Sequence, residues 1–412
     1  LALDSTVGEI CSIASVGFQL SSLPIGVEHG WVTRKLAEER AVTVLKSLLR
    51  HDNNKKEGIY FHFLESTTGG RPDSSNGKRH YELMASTIDH SLFQSGVMTA
   101  SSYFGGEVKL LADQIIAEAN WAHYRVAPNN YLSMGWNANP NDKRQKPNEL
   151  WPWYWETASD EERLIYFLAV GAPLDKYAIP PSDYYRLRRP IEQYEDEKPF
   201  VVAPNGGLFM YFFSHCWIDY GAFKADYPQS VGVEGPSVDW FENTRRAAVT
   251  HRRRCIESAK QFPTLGENRW GLSPCRAESG YCVQLIQPNL ANRDSWCRGV
   301  VPPYGAAGVL PMLPKESMAA LREYRSLKSK DGKELIWRDP SGGGYGFVDA
   351  FKLDPPTPIE AYIGIDQGPM LLAIENARTG LIWKLFMQHE VAQNATKRLK
   401  FEPRASPTTS RL

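Results

Sequence analysis

The chain has 412 residues, 42% of them hydrophobic, with 47 Lys+Arg balanced by 47 Asp+Glu to a formal charge of zero. That balance argues against nucleic acid or an anionic membrane as partner, since both demand a basic surface. No run of about 18 apolar residues is present to span a bilayer, so a neutral partner and a large core remain, read as one domain over residues 1–400 with 401–412 as a disordered tail.

In chain order, Ile10, Ile13, Ala14, Gly17 and Phe18 recur at helical spacing and predict a first, buried helix. Thr33 is placed to cap a second, with Leu36, Ala37, Ala41, Val44, Leu45 and Leu48 on one face. Tyr60–Leu64 reads as a short extended segment. A third helix is predicted from about Ser86 to Tyr103 and a fourth from about Gly106 to Trp121. Residues 126–153 carry Pro, Asn and Trp without periodicity and read as a long loop, which is uncommon and often functional. A fifth helix spans about Asp160 to Val170, followed by a charged, Pro-rich excursion over 174–206. Apolar helical segments return near 207–220, 238–258, 315–327, 367–377 and 379–393. The expected class is all-α: a double ring of paired helices with long loops gathered as a cleft at one mouth.

Composition already hints at the ligand. Twelve Trp and 19 Tyr suit sugar rings, which have apolar faces and hydroxyl edges. Four aromatics in Trp151-Pro-Trp-Tyr-Trp155 directly precede the carboxylates Asp160, Glu161 and Glu162 at a helix start. Ser159 and Glu162 have capping-box spacing, whereas Glu161 shares a face with Leu164, Ile165 and Leu168. Burial on that face would raise its pKa, as a general acid requires. The alternative is that all three carboxylates only complement the helix dipole. Asp366, ending an apolar run before Gln367-Gly368-Pro369, reads as a helix N-cap that accepts N–H bonds and stays ionised, which suits a base.

Other candidates are weaker. Asp89 opens the third helix, His215 lies in an apolar run where a core histidine is the simpler reading, and Glu267-Asn268-Arg269-Trp270 is bracketed by glycines as a loop. Trp136 stands in a similar loop at Gly135-Trp136-Asn137. The arginines at 245–246 and 252–254 read as a solvated helix face. Six cysteines lack Cys-x-x-Cys spacing, so no metal is expected. Cys11 and Cys255 read as buried thiols, and a Cys282–Cys297 disulfide fits an oxidising compartment. With the sequon at Asn394-Ala395-Thr396 and an abrupt start suggesting a removed upstream segment, these features lean toward a secreted or periplasmic glycoprotein.

Several motifs occur in order: Ile10-Cys11-Ser12-Ile13-Ala14-Ser15-Val16-Gly17-Phe18, Leu23-Pro24-Ile25-Gly26-Val27-Glu28-His29-Gly30-Trp31, Ser86-Thr87-Ile88-Asp89, Gly266-Glu267-Asn268-Arg269-Trp270-Gly271-Leu272, Ile365-Asp366-Gln367-Gly368-Pro369 and Ile374-Glu375-Asn376-Ala377-Arg378-Thr379-Gly380-Leu381-Ile382-Trp383-Lys384. Over about residues 5–390 the chain resembles the glycoamylase-like domain of glycoside hydrolase family 144 and its relatives, including bacterial and fungal endo-β-1,2-glucanases. The resemblance implies an (α/α)6 toroid and inverting hydrolysis of a β-1,2-glucan without metal or cofactor. It implies Glu161 as acid and Asp366 as base, with Asp160 and Glu162 as rivals for the first role because the stretch after Trp155 departs from the family pattern.

On this reading Trp136, Trp153, Trp155 and Trp270 would stack sugar rings, while Asp89, His215, Glu267 and Asn268 would bind hydroxyls. The expected partner is an oligo- or polysaccharide, with the protein a monomer. The alternatives are an exo-acting or other-linkage glycosidase, a non-catalytic glycan-binding protein and a polysaccharide lyase relying on His215 and a tyrosine.

Overall fold

The computed structural model of the protein describes residues 1–72, 83–140, 145–204, 206–278, 280–282 and 299–405. Twelve α-helices lie in these segments: α1 (Ile13–Glu28), α2 (Arg34–Leu49), α3 (Thr87–Phe104), α4 (Gly106–Glu118), α5 (Asp160–Gly171), α6 (Pro181–Arg186), α7 (Trp240–Glu257), α8 (Pro303–Gly308), α9 (Pro314–Ser326), α10 (Gly364–Arg378), α11 (Leu381–Met387) and α12 (Glu390–Arg398). Side-chain oxygens of Ser12, Thr33, Ser86 and Asp239 accept backbone N–H bonds at the starts of α1, α2, α3 and α7, satisfying donors that would otherwise lack a partner.

The helices divide by sequence character. Helices α1, α3 and α5 are buried on nearly every side, whereas α2, α4, α7 and α9 bury one stripe and expose charge. Helix α3 is rich in Ser and Thr, yet Ser91, Ser95 and Thr99 each donate to the carbonyl four residues back, so the buried helix leaves these hydroxyls satisfied. Helix α1 packs on α3 and α10, α3 on α5, and α10 on α8, while residues 208–216 fill the space beside α5, α8 and α10.

The α1–α3 crossing rests on Gly17 and Gly96. A Cβ on Gly96 would stand 2.0 Å from the Gly17 carbonyl oxygen, and one on Gly17 would stand 2.3 Å from that of Leu92. Two backbones in such contact exclude any side chain. Gly96→Val should therefore cost about 3 kcal/mol or more, at the upper end of overpacking penalties, read as a lower urea midpoint. A midpoint equal to the wild type would refute this account of the crossing.

The structure departs from sequence expectation in several places. The first helix starts at Ile13, because Ile10–Ser12 pairs antiparallel with Phe63–Glu65 and Ser12 caps the helix. The fourth ends at Glu118, and Trp121 opens a separate 3-10 turn. The expected loop over 126–153 contains Tyr131–Ser133, Gly135–Asn137 and Glu149–Leu150, strands of two or three residues, too short to show alternation in sequence. They join two small three-stranded sheets with Tyr154–Trp155 and Met84–Ser86.

Residues 207–220 form 3-10 turns and no α-helix. The Asp160 carboxylate accepts the Ser214 N–H at 3.0 Å, a donor that an α-helix would have used internally. Ser159 makes no cap bond, so the predicted capping box is absent. The tail is ordered further than expected: Phe401 lies against Phe167, Tyr184 and Phe223, and Arg404 bonds the Phe223 carbonyl and Asp239.

Cys11 and Cys255 are buried as expected, whereas Cys297 of the anticipated disulfide lies outside the described residues. The sequon lies inside α12, where the Thr396 hydroxyl donates to the Ala392 carbonyl. It is not on the surface loop that glycosylation favours. Among the described residues no helix is long and apolar enough to cross a membrane.

Candidate active site

The starts of α1, α3, α5 and α10 meet at one mouth. Gly364, first in α10, comes so close to α1 that an added Cβ would lie 2.2 Å from Ser15 Oγ. The Gly364 N–H donates to the Asp4 carbonyl at 2.8 Å, laying the N-terminal strap along the entry to α10. Trp155, just before α5, donates its indole N–H to Thr87 Oγ1 at the first residue of α3 (2.8 Å).

Each of these helix starts carries acidic groups. Asp89 lies in the first turn of α3, Asp160, Glu161 and Glu162 in that of α5, and Asp366 in that of α10. Helix N-termini carry partial positive charge, which partly offsets repulsion among so many carboxylates.

The three acidic residues opening α5 are not equivalent. Asp160 is fully buried, ion-paired with Arg163 and bonded to the backbone of Ser214 and His215. The Arg163 guanidinium lies in turn over the Trp240 and Tyr220 rings, at 3.9 and 4.6 Å. Asp160 is thus a structural anion. Glu162 is buried, its carboxyl held well above the usual range by burial and then by the charge of Glu161.

Glu161 alone of the three keeps partial access to solvent, and its side chain makes no hydrogen bond among the described residues. Burial pushes its carboxyl up to about 8, with the charge of Asp89 adding to the effect.

A chain of charges leads from Glu161 toward α10. Asp89 accepts a hydrogen bond from the Ser86 hydroxyl (2.5 Å) and stands 3.5 Å from His62 Nε2. Asp89 and His62 both act on Asp4, whose carboxyl burial raises. Asp4 in turn acts on Asp366.

Asp366 differs from expectation. Ile363 occupies the N-cap position, and Asp366 lies in the first turn, 1% exposed. Burial, then the charge of Asp349, raises its carboxyl well above the usual range, so the argument from an ionised cap does not hold. Asp349 is itself 1% exposed, accepts the Arg276 N–H (2.6 Å) and is raised by burial. The Tyr281 hydroxyl donates to Asp366 Oδ1 at 3.2 Å.

Asp349, Tyr281 and Asp4 were missed. Asp349 had a signal: a lone Asp inside the apolar run Phe347-Val348-Asp349-Ala350-Phe351 is the same anomaly that singled out Asp366. Nothing local marked Asp4 or Tyr281.

The remaining candidates scatter. Trp153 is 44% exposed, edge-on to Trp151 at 4.9 Å, and available for stacking. Trp136 lies under Lys56 at 4.6 Å, in a groove of about 550 Å³ shared with Val126, Trp151 and Tyr154. Trp155 is buried and braces α3, which corrects its assignment as a stacking platform. Trp270 is fully buried, and its backbone N–H donates to the Tyr324 hydroxyl, so its ring stacks no ligand either.

His215 is a core histidine, bonded to Thr244 Oγ1 at 2.9 Å, with its imidazole held neutral by burial. Its polar partner is internal, so it is not a sugar contact. Glu267 and Asn268 lie on a turn whose ties run to α7 and α9, through Glu267–Arg252 (3.3 Å) and Arg269–Glu323 (2.9 Å). These contacts do not bring the turn to the carboxylates at the mouth.

The chain is 27% identical over 428 residues to an exo β-1,2-glucooligosaccharide sophorohydrolase (non-reducing end) of Parabacteroides distasonis, covering 95% of this chain. It spans about half the length of that relative, 53%. The endo-β-1,2-glucanase of Chitinophaga pinensis, solved with sophorotriose and glucose, superposes with a TM-score of 0.76 at 25% identity, over 96% of this chain and 88% of that one. A Bacteroides uniformis protein solved as a "putative glucoamylase" superposes with a TM-score of 0.78 at 24% identity, over 98% and 92% of the two chains. Residues 152–390, which hold Glu161, Asp349 and Asp366, match the family model Glycoamylase, described as "Putative glucoamylase", and the chain belongs to that family.

Proposed function

We propose that the protein is an inverting glycoside hydrolase that cleaves β-1,2-glucan, with Glu161 as general acid and Asp366 as general base. The observation that carries this is Glu161: a partly accessible carboxyl, without a hydrogen-bond partner among the described residues, that stays protonated to about pH 8 at the mouth where Asp366 also lies. A proton donor needs just that protonation state at neutral pH. Glu161 protonates the leaving glycosidic oxygen while Asp366 takes a proton from the attacking water, the division of labour of inverting enzymes. Burial, with the charge of Asp89 adding to it, keeps Glu161 protonated, and Trp153 offers a ring face to the glucan.

We also infer an (α/α)6 toroid. The neighbour relations α1–α3–α5, residues 208–216, α8, α10 and back to α1 support an inner ring, with the amphipathic helices outside. The β-1,2 linkage is taken from the relatives, one acting within chains and one from a chain end. We favour endo action by a monomer in a secreted or periplasmic compartment; the sophorohydrolase relative supports exo action as the second reading.

The deciding experiment incubates the protein with defined β-1,2-, β-1,3- and β-1,4-glucans and sizes the products. A ladder of β-1,2-gluco-oligosaccharides supports endo cleavage, and release of one disaccharide alone supports exo cleavage. Binding without any product overturns the hydrolase reading.

A further inference from the structure

A second groove lies on the α10 side of the mouth. It has a volume of about 920 Å³ and is lined by the hairpin that pairs Trp337–Arg338 with Gly346–Phe347 and by residues 356–362. Both walls are tied to the elements that carry Asp349 and Asp366. The Asp349 N–H donates to the Ala361 carbonyl at 2.9 Å, the Gln367 side-chain amide donates to the Phe347 carbonyl at 3.2 Å, and Tyr362 stands two residues before the start of α10. The Tyr362 carbonyl also accepts the Thr6 N–H at 3.0 Å, so the N-terminal strap fixes this wall as it fixes the entry to α10.

The lining favours a neutral ligand. Among the described residues, Lys328, Lys333 and Arg338 are balanced by Glu334, Asp339 and Glu360. These charges are already engaged. Arg338 pairs with Glu360, Lys328 and Arg325 with Glu334, and Lys333 with Asp331, while Asp339 accepts from the Ser341 N–H and hydroxyl. A groove without net charge does not concentrate an ionic ligand, yet its donors and acceptors suit hydroxyls.

Tyr345 supplies the apolar surface. It is 70% exposed and edge-to-face with Tyr362 at 5.2 Å. Its loop is tightly held: the Asp339 carbonyl accepts from the N–H groups of Gly342 and Gly344 at 3.1 and 3.0 Å, and a Cβ on Gly344 would stand 2.6 Å from the Arg338 backbone. An exposed ring on a fixed loop has little ordering left to undergo on binding. Trp337, half-buried under the Arg325 guanidinium at 4.7 Å, lines the same groove.

Building on the hydrolase reading, we propose that this groove is a distal binding site for the β-1,2-glucan chain, with the Tyr345 ring stacking on a glucosyl residue beyond the scissile bond. A chain cut within its length has residues to place there, so the groove favours long substrates over short ones.

Tyr345→Ala removes the ring at an exposed position, where folding should not be disturbed. The KM for long β-1,2-glucan relative to that for a β-1,2-linked tetrasaccharide should rise roughly 5- to 30-fold. A ratio equal to that of the wild type overturns the proposal, whether both KM values rise or neither does.

Binding without turnover separates this idea from the hydrolase reading. In Glu161→Gln protein carrying fluorinated tyrosine, the fluorine resonance of Tyr345 is assigned by its loss in Tyr345→Phe. It should shift as β-1,2-gluco-oligosaccharides are added and stay in place with polygalacturonate, an anionic glycan. A resonance that ignores the glucan, or that answers the polyanion equally, overturns the proposal. A shift with the glucan alone, in a protein whose wild type releases no product, supports the groove as a glucan site while sinking the hydrolase reading.

Discussion

Glu161→Gln is expected to lower turnover by about 10²- to 10⁴-fold, the usual contribution of a positioned general acid, while substrate binding persists in calorimetry. Gln is isosteric and neutral, so it keeps the shape of the protonated carboxyl and removes only the transferable proton. The wild-type rate should fall on an alkaline limb near pH 8, where Glu161 ionises. Removing the charge of Asp89 favours ionisation of Glu161, so Asp89→Asn should move that limb to lower pH.

Stability should report the same group. In the unfolded chain Glu161 ionises near 4.5, against about 8 in the fold. Its native state therefore binds the proton more tightly, a stabilisation present in full below 4.5 and lost as pH rises toward 8. Wild type should lose stability relative to Glu161→Gln across that window, with no further divergence above it. Near-normal turnover in Glu161→Gln would remove it as the acid, and Glu162 would then be the next residue to test.

Asp366→Asn should lower turnover by a similar factor, about 10²- to 10⁴-fold, because the amide cannot accept the proton of water. The substitution also relieves the like-charge repulsion that Asp349 exerts on this buried carboxyl, so the variant should stay folded. Near-normal turnover in Asp366→Asn would remove it as the base.

The helices and the identity of Glu161 and Asp366 as chemically unusual carboxylates were legible in the sequence. Periodicity, the cap at Thr33 and aromatic clustering before α5 are local signals, and local signals survive in a linear string. The protonation logic of Asp366 was misread, since its partner Asp349 lies on a different segment. Trp155, Trp270 and His215 were offered to the ligand because a large ring looks the same in sequence whether it meets a sugar or packs inside the fold. The rings of Trp155 and His215 bond the hydroxyls of Thr87 and Thr244, 68 and 29 residues away, and the Trp270 backbone N–H bonds Tyr324, 54 residues away.

What the sequence determined alone was which stretches bury and which expose: apolar spacing dictates helix faces wherever the chain goes. Only the tertiary structure decided that α3, α5 and α10 bring their acidic first turns together, and which of their carboxyls keep a proton. A carboxyl's proton affinity depends on solvent removed and charge brought near, and both are properties of distance in space. The Gly17–Gly96 contact and the seating of Gly364 on Ser15 create those distances.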